Sequence, residues 1–129
     1  MKRIGAISCA MLLAGCTSSS PPPPSSAPPP PTMTTGRNEP VTLTDADRAA
    51  IETGVRNAIG SPTATFRTMI ATKGGDGVVT ACGYVNAGSG DTPYVGTLRD
   101  GAFTMTRKGG TPEETIATHT ACGQKGVHI

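Results

Sequence analysis

The stretch Val78-Val79-Thr80-Ala81-Cys82-Gly83-Tyr84-Val85-Asn86 predicts a β-strand around which the rest of the fold is built. It is rich in β-branched and aromatic residues, and its apolar side chains alternate between two faces. One face carries Val79, Ala81 and Val85, and the other carries Val78, Cys82 and Tyr84. A glycine-rich turn at 73–77 precedes the strand, and a flexible loop at 87–93 follows it. The stretch is therefore expected to pair with a strand on each side.

Three further strands are predicted, at 64–72, 94–98 and 102–106. The last two flank Asp100-Gly101, a dipeptide that is typical of tight hairpin turns. Four strands joined by short connections favour an antiparallel meander. In the strand at 64–72, strict alternation places Phe66, Thr68 and Ile70 on one side and Arg67 and Met69 on the other.

A helix is predicted before the strands. Thr44 is a good N-cap, acidic residues follow it, and apolar residues recur at helical spacing as far as about Ile59. Gly54 lies in the middle of this helix, where it would allow a close approach to the sheet.

A second helix is predicted after the strands. Thr111, Pro112 and Glu114 form an N-terminal signature with a capping box. The helix is expected to end at about Cys122, and the glycine that follows would close it. The residues expected to face inward are Ile116 and Ala117.

The predicted fold class is α+β: a helix, a four-stranded antiparallel meander and a helix, with both helices on one face and one disulfide. Residues 41–129 would form this small domain. The chain has only four aromatic residues and no tryptophan. Because so small a core is thin, a covalent link would stabilise it substantially.

Two of the four cysteines, Cys82 and Cys122, belong to the predicted domain. In an exported protein, such an even pair is expected to form a disulfide. Closing a loop of about 40 residues would stabilise the domain by about 4 kcal/mol in the loop-entropy model. The alternative is a metal site that adds His119 and His128, but their spacing matches no familiar set of ligands. No metal and no other cofactor is therefore expected.

The N-terminus has the layout of a bacterial export signal. Lys2 and Arg3 precede an apolar run at 4–13, which ends in Leu13-Ala14-Gly15-Cys16. This order resembles the bacterial lipobox, which implies that the signal peptide is residues 1–15, that Cys16 is acylated and that lipid attaches the protein to a membrane. The alternatives are an ordinary cleaved signal, acylation at Cys9, and a membrane anchor, for which the run is too short.

Residues 16–40 are predicted to be a disordered Pro/Ser-rich tether that begins at the lipidated cysteine. Two runs of four prolines, at 21–24 and 28–31, favour an extended polyproline II path. Such a segment would act as a semi-rigid spacer between the membrane and the domain. The alternative is that it serves as a ligand for a proline-recognising groove.

Charge and motifs argue against two classes of protein. The two basic residues of the signal account for the net charge of +2, so the rest of the chain has nine basic and nine acidic side chains. Without a basic stripe, no nucleic-acid partner is expected. An enzyme is not expected either, because nothing resembles a nucleophile elbow and neither histidine has an obvious carboxylate partner. Glu113 and Glu114 are better explained by helix capping, and 74–77 by a turn, so no catalytic residue is predicted.

The domain also resembles a group of small exported proteins of Gram-negative bacteria. The likeness depends on Ala64-Thr65-Phe66-Arg67 and Cys82-Gly83-Tyr84-Val85-Asn86-Ala87, and it covers most of residues 43–123. The chain departs from the pattern after Asn86, where its loop is short and lacks the expected aromatic residues. Because the group has no established activity, the resemblance implies fold and location only.

These features together predict a cell-envelope lipoprotein that acts as a non-catalytic binding or structural module. Because Thr17 follows Cys16, resemblance to lipoprotein sorting patterns implies the outer membrane, with the domain facing the periplasm. The candidate contact surface comprises Gly88, Asp91 and Tyr94, and the expected partner is an unknown envelope protein. The alternative is an inhibitor or immunity-type lipoprotein that blocks a hydrolase or toxin, which should present a rigid protruding loop.

Overall fold

The elements of the domain follow the predicted order, with one strand added at the start. The computed structural model describes residues 38–129. Their elements are β1 (Glu39–Val41), α1 (Asp45–Ile59), β2 (Thr65–Lys73), β3 (Val79–Asn86), β4 (Asp91–Arg99), β5 (Ala102–Lys108) and α2 (Pro112–Gln124). The strands form one sheet in the order β1-β2-β3-β4-β5, and every neighbouring pair is antiparallel. The α+β class and the antiparallel meander are confirmed, but the sheet has five strands rather than four.

The added strand β1 lies at the edge of the sheet, where Glu39 is opposite Lys73 and Val41 is opposite Ala71. Three residues are too few to show an alternating pattern, and Pro40 is tolerated because an edge strand leaves one side unpaired. The sheet therefore begins two residues before the predicted start of the domain at Val41. The predicted signal peptide, the predicted lipid attachment site and most of the predicted tether lie outside the described residues.

Helix α1 begins and ends where the sequence predicts. The Thr44 hydroxyl accepts the Asp47 N–H at 3.1 Å, and the Asp47 carboxylate accepts the Thr44 N–H at 3.0 Å, which completes a capping box. The side-chain hydrogen bond with Thr44, and then the backbone one, lower the pKa of Asp47 below its ordinary value. Gly60 closes the helix in the left-handed conformation. Ile51 and Val55 are fully buried against the sheet.

A β-bulge at Thr68 changes which side chains of β2 face the same way. Arg67 and Met69 pair with consecutive residues of β3, so Thr68 is the extra residue, and its φ is 44°. An extra residue reverses the alternation beyond it. The predicted facing of β2 is therefore wrong after Arg67, and Ile70 points away from Phe66. The residues on the α1 side are Phe66, Met69 and Ala71.

The two helices lie on opposite faces of the sheet rather than on one face. Adjacent strand residues point to opposite faces, and Ala81 packs in the α1 cluster whereas Cys82 packs in the α2 cluster. The chain crosses from one face of the sheet to the other in the connection at 109–111. The prediction that short connections place both helices on one face is therefore wrong. The buried α1 cluster comprises Leu43, Ile51, Val55, Ala64, Ala71, Ala81, Val85, Tyr94, Leu98 and Phe103. The buried α2 cluster comprises only Cys82, Val95, Cys122 and Val127.

Helix α2 starts at the predicted capping box but ends two residues later than predicted. The Thr111 hydroxyl accepts the Glu114 N–H at 3.2 Å, and the Glu114 carboxylate accepts the Thr111 N–H at 2.9 Å. Gly123 lies inside the helix, and the left-handed residue that ends it is Gly126, with φ of 75°. The Val127 N–H then donates to a helix carbonyl at 3.0 Å, as in a Schellman motif.

The inward face of α2 is set by its covalent link to the sheet. Cys82 and Cys122 form the predicted disulfide, with their Cα atoms 6.1 Å apart and both side chains fully buried. The disulfide fixes which side of the helix meets the sheet, and Thr118, one turn before Cys122, is also fully buried. The prediction that Ile116 faces inward is wrong, because this side chain lies off that face and is 67% exposed.

Loss of the disulfide should destabilise the domain by about 3–4 kcal/mol, because it closes a loop of 40 residues and because few other side chains hold α2. Urea denaturation of the protein with and without a thiol reductant would measure the difference. The double variant Cys82→Ala/Cys122→Ala is the control, since its midpoint should be low and independent of reductant. An unchanged midpoint for the fully reduced protein would contradict the prediction.

Two helical glycines allow a matched test of helix packing. A Cβ at Gly54 would lie 2.5 Å from the Phe103 carbonyl oxygen, whereas a Cβ at Gly123 would meet nothing within 4 Å. Gly54→Ala should therefore destabilise the domain by about 1–3 kcal/mol through overpacking. Gly123→Ala should stabilise it by about 0.5–1 kcal/mol through helix propensity. Thermal or urea unfolding should show that the free energy of unfolding falls in Gly54→Ala and rises in Gly123→Ala. Equal changes in the two variants would contradict the α1–β5 packing.

Candidate functional site

The predicted loop after β3 is shorter in the structure than in the sequence prediction. Strand β4 begins at Asp91, which pairs with Asn86, so only residues 87–90 form the turn. Gly88 and Gly90 have φ of 107° and 108°, a conformation that favours glycine. The prediction of a flexible loop at 87–93 is therefore wrong for its second half, which is paired strand.

Side chains hold this turn at its base. The Asn86 side-chain oxygen accepts the Gly88 N–H at 2.8 Å, and its amide nitrogen donates to Asp91 at 3.2 Å. Asp91 also forms an ion pair with Arg67 at 3.2 Å, which ties the turn to β2. The Arg67 side chain is 75% exposed, so this pair adds little, and the turn is held mainly by the hydrogen bonds of Asn86. Gly88 and Asp91 thus lie at the surface on an ordered hairpin tip.

Tyr94 does not belong to this surface. Its side chain is fully buried on the α1 side of the sheet, between Phe66 and Phe103. The ring meets both neighbours edge to face, with centroids 6.2 Å and 6.1 Å away. A Cβ at Gly83 would lie 2.8 Å from the Tyr94 hydroxyl oxygen, so glycine at that position leaves room for the ring. The candidate contact surface predicted from the sequence is therefore wrong at Tyr94.

The tyrosine near the turn on the α2 face of the sheet is Tyr84, which contacts His119 of α2. Its hydroxyl lies 3.3 Å from His119 Nε2, and the two rings meet edge to face at 6.0 Å. Two large hydrophobic residues among positions 38–129 are exposed, Ile70 and Ile116. Each is a neighbour of one member of the Tyr84–His119 pair. Ile70 is opposite Cys82 and hence diagonal to Tyr84, and Ile116 is one helical turn before His119.

We call this region the hairpin-end surface. It consists of the turn 87–90 together with Arg67, Ile70, Tyr84, Asp91, Ile116 and His119. The sequence placed Gly88 and Asp91 in a candidate surface but missed the other side chains. The signal that could have found them is the disulfide, because it puts α2 over the face that carries Tyr84.

Two acidic residues and both cysteines of the described domain serve structural roles. Asp47 and Glu114 cap helices. The sulfurs of Cys82 and Cys122 are joined in a disulfide, so they provide no thiolate for a metal. Within residues 38–129, no group of three or more His, Cys, Asp or Glu side chains is placed to hold a metal ion. The same residues include no helix that is long and apolar enough to cross a bilayer.

The buried Tyr94 hydroxyl leads to a prediction about stability and pH. It has no hydrogen-bond partner among the described residues, and burial raises the pKa of Tyr94 well above its ordinary value of 10, with the Glu52 carboxylate adding to the effect. Tyr94→Phe should therefore match or exceed the stability of the native protein at pH 7, by up to about 1 kcal/mol. Tyr84→Phe is the control at pH 7, where a change below about 0.5 kcal/mol is expected for an exposed hydroxyl.

The stability advantage of Tyr94→Phe over the native protein should grow at alkaline pH. The raised pKa means that the folded state keeps the Tyr94 proton while the unfolded chain loses it, so stability falls as pH rises above 10. At pH 11 the native protein should lose about 1.4 kcal/mol relative to Tyr94→Phe. Urea denaturation at pH 7 and pH 11 tests this. A Tyr94→Phe variant that is less stable than the native protein at pH 7 would show that the hydroxyl has a partner.

Comparison with known proteins does not assign the chain to a family. No protein-family model matches it, and no curated protein or solved structure does. The resemblance to small exported proteins of Gram-negative bacteria therefore stays a prediction. The function has to be inferred from the residues and their geometry.

Proposed function

We propose that the protein is a lipid-anchored protein of the cell envelope whose domain is a non-catalytic binding module. The observation that carries the proposal is the hairpin-end surface, an ordered and partly apolar surface on a disulfide-linked domain. The buried disulfide between Cys82 and Cys122 suits an oxidising compartment, where such bonds persist. The predicted signal peptide and lipid attachment at Cys16 would bring the domain there and hold it at a membrane.

The chemistry of the hairpin-end surface supports a protein partner. Residues that dominate binding energy at interfaces are enriched in tyrosine and arginine, and Tyr84 and Arg67 lie side by side as a cross-strand pair. Ile70 and Ile116 add exposed apolar area, being 39% and 67% accessible. Because the turn is already ordered, little conformational entropy would be lost on binding. The partner we propose is another protein of the envelope, and the membrane is the outer one, with the domain in the periplasm.

A second candidate function is favoured by the turn itself. An inhibitor or immunity-type protein needs a rigid element to insert into the enzyme or toxin that it blocks. The turn 87–90 is held by Asn86 and by the Arg67–Asp91 ion pair, so it could serve as such an element. In that case Gly88 would lie at the centre of the contact rather than at its rim.

Site-specific photocrosslinking in living cells would test the proposal. A photoreactive residue in place of Ile116 should give a discrete covalent adduct with a partner protein, because this exposed side chain lies on the hairpin-end surface. The same residue in place of Asn57, exposed on α1 on the opposite side of the sheet, is the matched control and should give none. Placed at Ser89, which is exposed in the turn and has no positive φ, it would give the strongest adduct if the turn is the inserting element.

The anchoring part is tested separately. Cys16→Ser should move the protein from the membrane fraction to the soluble periplasmic fraction and remove the mass of the lipid from its N-terminus. An unlipidated native protein would contradict the anchor. Equal adducts from positions 116 and 57, or adducts from neither, would contradict the hairpin-end surface as a binding site.

A further inference from the structure

Two adjacent clefts lie on the α2 face of the sheet, beside the last turns of α2. The larger has a volume of about 780 Å³ and lies between α2 and the β2–β3 turn, and the smaller, of about 310 Å³, lies between α2 and β5. They share four lining residues and are therefore adjacent, and we call the two together the Lys125 cleft. The shared residues are Thr80, Thr97, Gln124 and Lys125.

The Lys125 cleft concentrates positive charge in a domain that is not basic overall. Lys125 lines both parts, Arg99 lines the larger part and Arg107 the smaller. None of the three forms an ion pair with any described residue, and all three are exposed. Of the described residues, Asp76 is the one acidic side chain that lines either part, although Asp100 adjoins Arg99 on the far side. The cleft thus keeps an excess of positive charge.

The three cations are spread along the Lys125 cleft rather than gathered at one point, since Arg99 lines only its larger part and Arg107 only its smaller part. Arg107 pairs with Val95, which lies four residues from Arg99 on the same face of β4. Four residues of strand span about 13 Å. Lys125 lines both parts of the cleft. This spacing suits a chain that carries anionic groups at intervals.

The end of α2 does not strongly oppose an anion here. Carbonyl oxygens at a helix C-terminus carry partial negative charge, but those of Cys122 and Gly123 accept backbone hydrogen bonds in the Schellman motif. The Lys125 carbonyl accepts the Thr72 hydroxyl at 2.9 Å. Thr80 and Thr97 line the floor with side chains that can donate to an anion. Charge and hydrogen-bonding groups are therefore both matched to phosphate or carboxylate oxygens.

We infer that the Lys125 cleft binds an extended anionic polymer that carries phosphate or carboxylate groups. Lys125 contacts the middle of the bound segment, and Arg99 and Arg107 contact groups on either side. The larger part of this site lies beside the β2–β3 turn, away from the turn 87–90 of the hairpin-end surface. It requires neither a protein partner nor the lipid anchor, so it goes beyond the proposed function and can fail independently of it.

Titration of the purified full chain in non-ionic detergent, followed by amide NMR, tests the inference. The probes are short linear polyphosphate, oligogalacturonate and inorganic phosphate. At least one polymer should shift the amides of 74–78, 97–99 and 124–125 saturably, and inorganic phosphate should bind more weakly than either polymer. Binding should weaken as added salt shortens the Debye length from about 30 Å to about 8 Å. The polymer that binds more tightly identifies phosphate or carboxylate as the preferred group.

Charge variants distinguish binding at the Lys125 cleft from nonspecific electrostatic attraction between the polymer and the domain. Arg99→Gln, Arg107→Gln and Lys125→Gln should each weaken binding by about two- to fivefold, as expected for exposed charge pairs, and the triple variant should show no saturable shift. Asp76→Asn keeps the oxygen that accepts the Val78 N–H and should tighten binding by a similar factor. Arg48→Gln, which removes an exposed charge from α1, should leave the affinity unchanged.

Several outcomes would overturn the inference. One is the absence of saturable shifts with both polymers, and another is an equal loss of affinity in Arg48→Gln and Arg99→Gln. Inorganic phosphate that binds as tightly as the polymers would contradict the extended ligand. Binding to phosphatidylglycerol vesicles without binding to either polymer would contradict it as well, because the ligand would then be a lipid surface.

Discussion

The disulfide between Cys82 and Cys122 is the constraint on which both binding surfaces depend. Helix α1 is held by a cluster of ten buried residues, whereas α2 meets the sheet through a buried cluster of four, two of which are the linked cysteines. Both proposed surfaces use residues of α2: Ile116 and His119 belong to the hairpin-end surface, and Gln124 lines the Lys125 cleft. If α2 left the sheet, each surface would lose one wall while the α1 side of the core remained. The covalent link therefore supports the sites more directly than it supports the fold.

The scarcity of aromatic residues explains why the two faces of the sheet differ. The chain has four such residues, and three of them meet edge to face on the α1 side, with Tyr94 in the middle. Gly83 leaves room for the Tyr94 ring and for the bulge at Thr68, because a Cβ there would collide with both. The α1 side thus has the larger core. The fourth aromatic residue, Tyr84, is left on the thinner side, where it remains partly accessible.

Local sequence signals predicted most helices and strands correctly. The features that were missed depend on contacts between residues far apart in the sequence. Capping residues and turn dipeptides act within a few residues, so α1, the start of α2 and the hairpins follow from the sequence. The bulge at Thr68 depends on β3, and it reversed the facing of Ile70. β1 forms only because β2 offers it an edge. Of the candidate site, Gly88 and Asp91 were predicted, whereas the choice of Tyr84 over Tyr94 required knowing which face each tyrosine takes.

The position of the two surfaces relative to the start of the domain gives them different surroundings. Asn38, where the described chain begins, lines the Lys125 cleft, and the hairpin-end surface lies at the other end of β2 and β3. The turn 87–90 lies farthest from Asn38, whereas Ile70 lies two residues from Thr72, which is opposite Thr80 in the cleft. A protein partner centred on the turn 87–90 and a polymer beside Asn38 would therefore occupy different parts of one sheet face.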